Sequence, residues 1–280
     1  KMREREITKN KNKKSRFIAM AILIAIFGLI LVAGGIFVIK AFVEYVDDNS
    51  SYHNPDLPAE VMSLTDPEVE KLIGYVDGKI GTVQCSILED YPDNILKTKR
   101  LTSKEKMLFT IRNIAPFTKE NCIVNELDGS TKDCQYVLYD EFNEKYEEIF
   151  GERNLSNDSI DDCDKHWEYN PENNSYEIYG SRIVESPDVT KISSFEKALK
   201  VGNMIELYEY VAYTKNETSQ NETYSYTDHN DRLDVVITQD NYLDYLQEMD
   251  LYRYTFMLDK NGNYVWVALE YVNQNTNNQE

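Results

Sequence analysis

The chain predicts an α+β fold: an N-terminal transmembrane helix followed by an exported domain with an antiparallel sheet partly covered by short helices. Three observations lead there. An unbroken apolar run opens the chain, helical periods with recognisable caps fill its middle, and from Trp167 onward the period changes to strand-like alternation broken by hairpin turns. Helices that precede hairpin-linked strands argue against a parallel sheet, which needs helical crossovers between its strands.

Residues 17–39 contain no charge. As a helix, such a 23-residue stretch would extend about 35 Å, enough for a hydrocarbon core of about 30 Å. A removable signal has a shorter apolar region, although the small residues Ala33, Gly34 and Gly35 leave cleavage near that point as the alternative. A lipid anchor is not indicated, because "LVAGG" carries Gly35 where a modified cysteine would stand. Eight Lys or Arg in residues 1–16 mark that tail as cytoplasmic, and Glu44, Asp47 and Asp48 follow on the far side. Everything from about Ala41 is therefore expected outside. Residues 40–60, with Pro55 and Pro58, read as a linker, residues 61–272 as the exported domain, and residues 273–280 as a disordered tail.

In the exported part, "TDPEVEKLIGYVDG" predicts a helix with Asp66 as cap, Pro67 in the first turn, Val69, Leu72, Ile73 and Val76 on one face, and Gly78 beyond its end. "KIGTVQCSIL" predicts an extended segment. "LTSKEKMLFTIRNIAP" opens on a capping box, Thr102 to Glu105, and places Met107, Leu108, Ile111 and Ile114 at helical spacing before Pro116. "YDEFNEKYEEIFG" predicts a third helix, capped by Asp140, with Phe142, Tyr146, Ile149 and Phe150 inward and Gly151 at its end. Residues 152–165 form a polar loop in which only Leu155 and Ile160 are candidates for burial. Around "NPENN" a hairpin follows. "NMIELYEYVAY" and "RLDVVI" read as strands, residues 214–231 as a polar excursion, and "QDNYLDYLQEMD" as a last short helix. The closing hairpin joins "YRYTFML" to "NYVWVALEYV" through Asn261-Gly262. Both side-chain rows of its second strand are apolar, Val265, Val267 and Leu269 in one and Tyr264, Trp266 and Ala268 in the other, so that strand should be central or covered on both faces.

Composition narrows the function. The chain holds 30 basic and 49 acidic residues. Leaving aside the nine basic and two acidic ones in positions 1–40, the exported part carries 21 against 47, a net charge of −26. Nucleic acid binding requires a basic groove, and this surplus of acid excludes it. Cys85, Cys122, Cys134 and Cys163 all fall on the exported side, where an even number favours disulfides over zinc. Cys122 and Cys134 bracket a segment with the turn signal Asp128-Gly129, so the expected bridges are Cys122–Cys134 and Cys85–Cys163. Six Asn-x-Ser/Thr triplets, beginning at Asn49, Asn154, Asn157, Asn173, Asn216 and Asn221, would accept glycans in a eukaryotic secretory route. The Asn, Lys, Ile and Tyr bias instead points to a bacterial envelope protein.

Motifs that carry chemistry are sparse. Ser-x-x-Lys occurs at Ser103 and Ser194 without the Lys-Thr-Gly companion of penicillin-binding proteins, and both read as helix starts. Asp158, Asp161, Asp162 and Asp164 gather carboxylates but lack the glycine and terminal glutamate of a calcium loop. His53, His166 and His229 stand alone, so neither a metal nor a cofactor is called for. The 21 tyrosines all lie beyond the apolar run. They read as half-buried strand residues, with Tyr264 and Trp266 as the candidate exposed aromatic face for a glycan or protein. The segments "LTSKEKMLFTIRNI", "FNEKYEEIFG" and "YTFMLDKNGNYVWVALEYV" resemble uncharacterised single-pass, membrane-anchored exported proteins of low-GC bacteria, a likeness that implies architecture and no activity. The expected role is a tethered, non-catalytic module that binds an envelope or extracellular partner. The alternative is an anchored hydrolase whose carboxylates act without a local motif, and a deep cleft holding two of them would favour it.

Overall fold

The computed structural model describes residues 51–79, 95–125, 130–162, 165–181, 189–217, 222–227 and 232–272. The basic tail, the apolar run 17–39, residues 40–50 of the linker, the segment 80–88 and the tail 273–280 lie outside them. No helix among the described residues is long and apolar enough to cross a membrane. The described residues form one compact unit, which is α+β with two antiparallel sheets where the sequence suggested one.

The first sheet runs in the order β1 (Ala59–Met62), β8 (Val189–Val201), β9 (Met204–Glu217), β11 (Asp250–Leu258), β12 (Tyr264–Tyr271), β2 (Ile95–Lys97), and β10 (Glu222–Tyr226) pairs with β9. The second runs β3 (Phe117–Asn125), β4 (Ser130–Leu138), β7 (Ser175–Ser181), β6 (Lys165–Asn170), β5 (Ile160–Asp162). Three helices pack with them: α1 (Pro67–Val76), α2 (Ser103–Arg112) and α3 (Tyr139–Phe150). The two latter serve both sheets. Phe109 of α2 and Ile149 of α3 join α1 and the first sheet in one core. Met107 and Ile111 of α2 and Phe142 and Tyr146 of α3 join Val137, Trp167, Tyr176 and Ile178 of the second sheet in another.

Local chemistry explains most element ends. The Asp66 carboxylate accepts from the Glu68 N–H at 2.9 Å, closing the start of α1. Thr102 and Glu105 form the expected reciprocal capping box on α2. The third helix departs from expectation, because it begins at Tyr139 with Leu138 in the cap position, and Asp140 lies inside the first turn, where its charge still favours the helix N-terminus. Gly151 ends α3 in the left-handed region, φ 70°, which side chains with a Cβ rarely adopt.

The strands bring the larger corrections. The 13-residue β8 and 14-residue β9 form a long hairpin across Gly202-Asn203, and Ser194 sits within β8 rather than at a helix start. The polar excursion is largely paired, since β9 continues to Glu217 and β10 returns along it. "RLDVVI" is not a strand: apart from a single bridge from Arg232 to Tyr226 it is irregular. It nonetheless buries Ile237 against Ile192, Ala212 and Met249, on the sheet face away from the helices. The last helix is a kinked 3-10 segment, Tyr242–Glu248. Leu155 is 95 % exposed, whereas Ile160 is buried, because it lies in β5 opposite Trp167 rather than in a loop. The linker ends earlier than residue 60, because β1 already pairs with β8 from Ala59.

Candidate functional site

Two buried carboxylates on β9 draw attention first. Glu206 and Glu209 are fully buried and, being three positions apart on a strand, face opposite sides of the sheet. On the side away from the helices, the Glu206 carboxylate contacts His53 Nδ1 at 2.9 and 3.1 Å and accepts from the Tyr208 hydroxyl at 2.8 Å. Burial pushes the Tyr208 phenol up to about 12. Close by, Arg253 Nη2 donates to Glu270 at 2.6 Å and to Ser51 Oγ at 2.9 Å, and Ser51 donates in turn to Glu270. The Lys97 ammonium lies 4.4 Å from the centre of the Tyr52 ring. This network straps residues 51–53 onto the sheet. On the helix side, Glu209 pairs with Lys191 Nζ at 2.9 Å and accepts from the Tyr254 hydroxyl at 2.6 Å. Both carboxylates have charged or hydroxyl partners, as buried charges must, and both act as internal ties.

A different arrangement occurs where α1 and α2 end beside the β5–β6 hairpin. A cleft of about 250 Å³ opens there, lined by Lys79, Arg112, Pro116, Asp162, Lys165 and Trp167 among others. Arg112 is held in place. Its Nε and Nη2 donate to Asp162 at 3.0 and 2.5 Å, and its Nη1 donates to the Lys79 carbonyl at 2.9 Å. Asn113 Nδ2 donates to the carbonyls of Tyr75 and Phe109, taking up acceptors near the C-terminal ends of both helices. The ammonium groups of Lys79 and Lys165 make no ion pair among the described residues. Trp167 is buried, and its Nε1–H has no hydrogen-bond partner, a costly state for a polar group removed from water. The lining thus combines three cations, one carboxylate already engaged by Arg112, and the Trp167 ring, in a domain whose overall charge is strongly negative.

No protein-family model, curated protein or solved structure matches this chain. What fold and cleft define is therefore a class: an α+β domain of two antiparallel sheets in which the C-terminal ends of α1 and α2 border a cationic cleft.

The residues singled out in the sequence are scattered. Trp266 is 2 % exposed and its ring stacks on Phe109, 4.7 Å between centroids, and Tyr264 is half-buried against the same core. The pair does not form an exposed aromatic face, because β12 lies between β11 and β2 with the helices over it. Cys134 is buried and disulfide-bonded. Cys122 stands opposite Lys132 and Cys134 opposite Lys119 in the β3–β4 hairpin, and Cys85 and Cys163 lie outside the described residues. The aspartates considered for calcium diverge: Asp162 binds Arg112, Asp161 contacts His166 at 2.6 Å, and Asp158 accepts from Ser156. Asp164 is outside the described residues, and among those described no three His, Cys, Asp or Glu side chains converge on a metal position. The cleft residues Lys79, Arg112, Lys165 and Trp167 went unremarked because they are dispersed over nearly ninety positions, and no local motif links them.

Proposed function

We propose that this chain is a membrane-tethered exported module that binds an envelope or extracellular partner rather than transforming one, with the cleft at the ends of α1 and α2 as its binding site. The observation that carries the reading is the gathering of Lys79, Arg112 and Lys165 around one concave space, since concave sites with a few convergent polar groups are where small ligands bind. Tethering follows from the charge-free run 17–39 and the eight basic residues before it. Export is supported by the four cysteines beyond that run, and we assign Cys122 as the partner of Cys134.

Membrane-impermeant thiol labelling of intact cells tests the topology. Lys260→Cys, in the exposed β11–β12 turn, should label fully, and Lys9→Cys should label only after lysis. Non-reducing peptide mapping of the same cells should return Cys122 and Cys134 in linked peptides. Labelling of position 9 with protection of position 260 overturns the orientation, and recovery of all four cysteines as free thiols overturns the bridge.

A further inference from the structure

We infer that the cleft takes a small organic carboxylate, a singly charged group with an apolar body, and this rests on the cleft being the binding site. Four features select the ligand. Lys79 and Lys165 supply two ammonium groups with no ion pair among the described residues, and Arg112, anchored by Asp162, adds a third positive charge to the lining. Trp167 adds an aromatic ring to the lining, suited to the apolar body of the ligand. Ile111, Ile114 and Pro116 give the cleft an apolar side.

The fourth feature is what limits the charge. The cleft lies at helix C-termini, where the macrodipole is negative, and Asp162 is in its wall. Such a setting opposes a dianion more than a monoanion, so phosphate is disfavoured. Among the described residues no helix N-terminus lines the cleft to cradle phosphate oxygens. The volume of about 250 Å³ falls below the roughly 300–1,000 Å³ of sites for drug-sized ligands, which suits a small acid or the last residue of a peptide. Both sources present the same group.

The test uses the full chain in detergent, labelled with 5-fluorotryptophan. Its two tryptophans, Trp167 and Trp266, give two fluorine signals, assigned with Trp167→Phe. The titrants are butyrate, N-acetyl-alanyl-alanine, the carboxamide of that dipeptide, and inorganic phosphate. The expected result is a saturable shift of the Trp167 signal with a carboxylate, an unmoved Trp266 signal, and no response to the carboxamide. Saturation by the dipeptide acid alone identifies a peptide terminus as the source, and saturation by butyrate as well identifies a free small acid. Lys79→Met and Lys165→Met should each weaken binding about tenfold, the scale of one charged hydrogen bond, with the Trp266 signal in place as the sign of an intact fold. Saturation by phosphate but not by the acids, or equal binding of the carboxamide, overturns the carboxylate assignment and leaves the cleft as a site. If no titrant moves the Trp167 signal, the assignment and the cleft's role both fall.

Discussion

Two buried tryptophans with the same chemistry are satisfied to different degrees here. The Trp266 indole is enclosed by Phe109, Phe150 and Tyr254, and its Nε1–H donates to the Ala268 carbonyl at 2.9 Å. Every requirement of a buried indole is met inside the fold, so its role is packing. Trp167 is buried too, in the core of the second sheet, but its Nε1–H has no hydrogen-bond partner. The difference predicts different responses to substitution. Trp266→Ala should lower the unfolding free energy by about 3–5 kcal/mol through the cavity it leaves, enough to threaten a domain whose whole stability is of the order of 5–15 kcal/mol. Urea unfolding followed by tyrosine fluorescence and circular dichroism measures it. A loss below about 1 kcal/mol would show that Trp266 is not a core residue.

At the level of elements, one bulge redistributes the closing hairpin. The register passes from Thr255 opposite Ala268 to Phe256 opposite Trp266, leaving Val267 unpaired. That extra residue brings Trp266 and Leu269, three positions apart, into the same core as Tyr252, Tyr254 and Phe256. A simple alternation of β12 would have put them on opposite faces. Helix ends show a second contrast, between two glycines. Gly74 sits exposed within α1 with nothing within 4 Å of an added Cβ, so Gly74→Ala should stabilise by about 0.5–1 kcal/mol through the lower helical cost of alanine. Gly151 has φ 70°, and an added Cβ would lie 3.3 Å from Val265 Cγ1. Gly151→Ala should therefore destabilise by at least about 1–2 kcal/mol, the cost of the left-handed conformation alone. Chemical denaturation of the two variants should give shifts of opposite sign. Equal signs would overturn the reading of one glycine or the other.

Across the whole molecule, the helices hold the two sheets together, and their mutual contacts are partly ionic. Glu148 of α3 receives the Lys145 ammonium at 2.6 Å and, from α1, that of Lys71 at 3.0 Å. Burial by itself would raise its pKa, but the hydrogen bond from Lys145, the neighbouring Tyr75 hydroxyl, the bond from Lys71 and the Lys145 charge together prevail and bring it from 4.5 to about 2. A carboxylate with a folded-state pKa below its unfolded value stabilises fully above the unfolded pKa and loses that contribution as pH falls through the folded one. The window here is therefore about pH 4.5 down to 2. Glu148→Gln should be less stable than the parent chain at pH 7, and the gap should close by pH 2, a modest effect because the group is partly solvated. Urea midpoints at a series of pH values test this, and a gap independent of pH would refute the linkage.

Capped helices, hairpin turns and the α+β class were legible in the residues because they rest on neighbours in the chain: Asp66-Pro67, Thr102 to Glu105, Gly151, Asn261-Gly262. The long β8–β9 hairpin was missed although Gly202-Asn203 is a recognised two-residue turn, because β8 mixes lysines and serines with its apolar positions. Those polar residues are tolerated where partners from elsewhere meet them, as Glu209 meets Lys191. "RLDVVI" shows the converse, an apolar alternation that packs without pairing. The division into two sheets, the burial of Trp266 behind the bulge at Val267, and the cleft were decided only by tertiary structure. Each depends on side chains far apart in sequence, Arg112 with Asp162 or His53 with Glu206. Propensity and periodicity act over a few neighbouring residues and leave such distances open, whereas the need to pair a buried charge or cover an apolar face is met only when the whole chain closes.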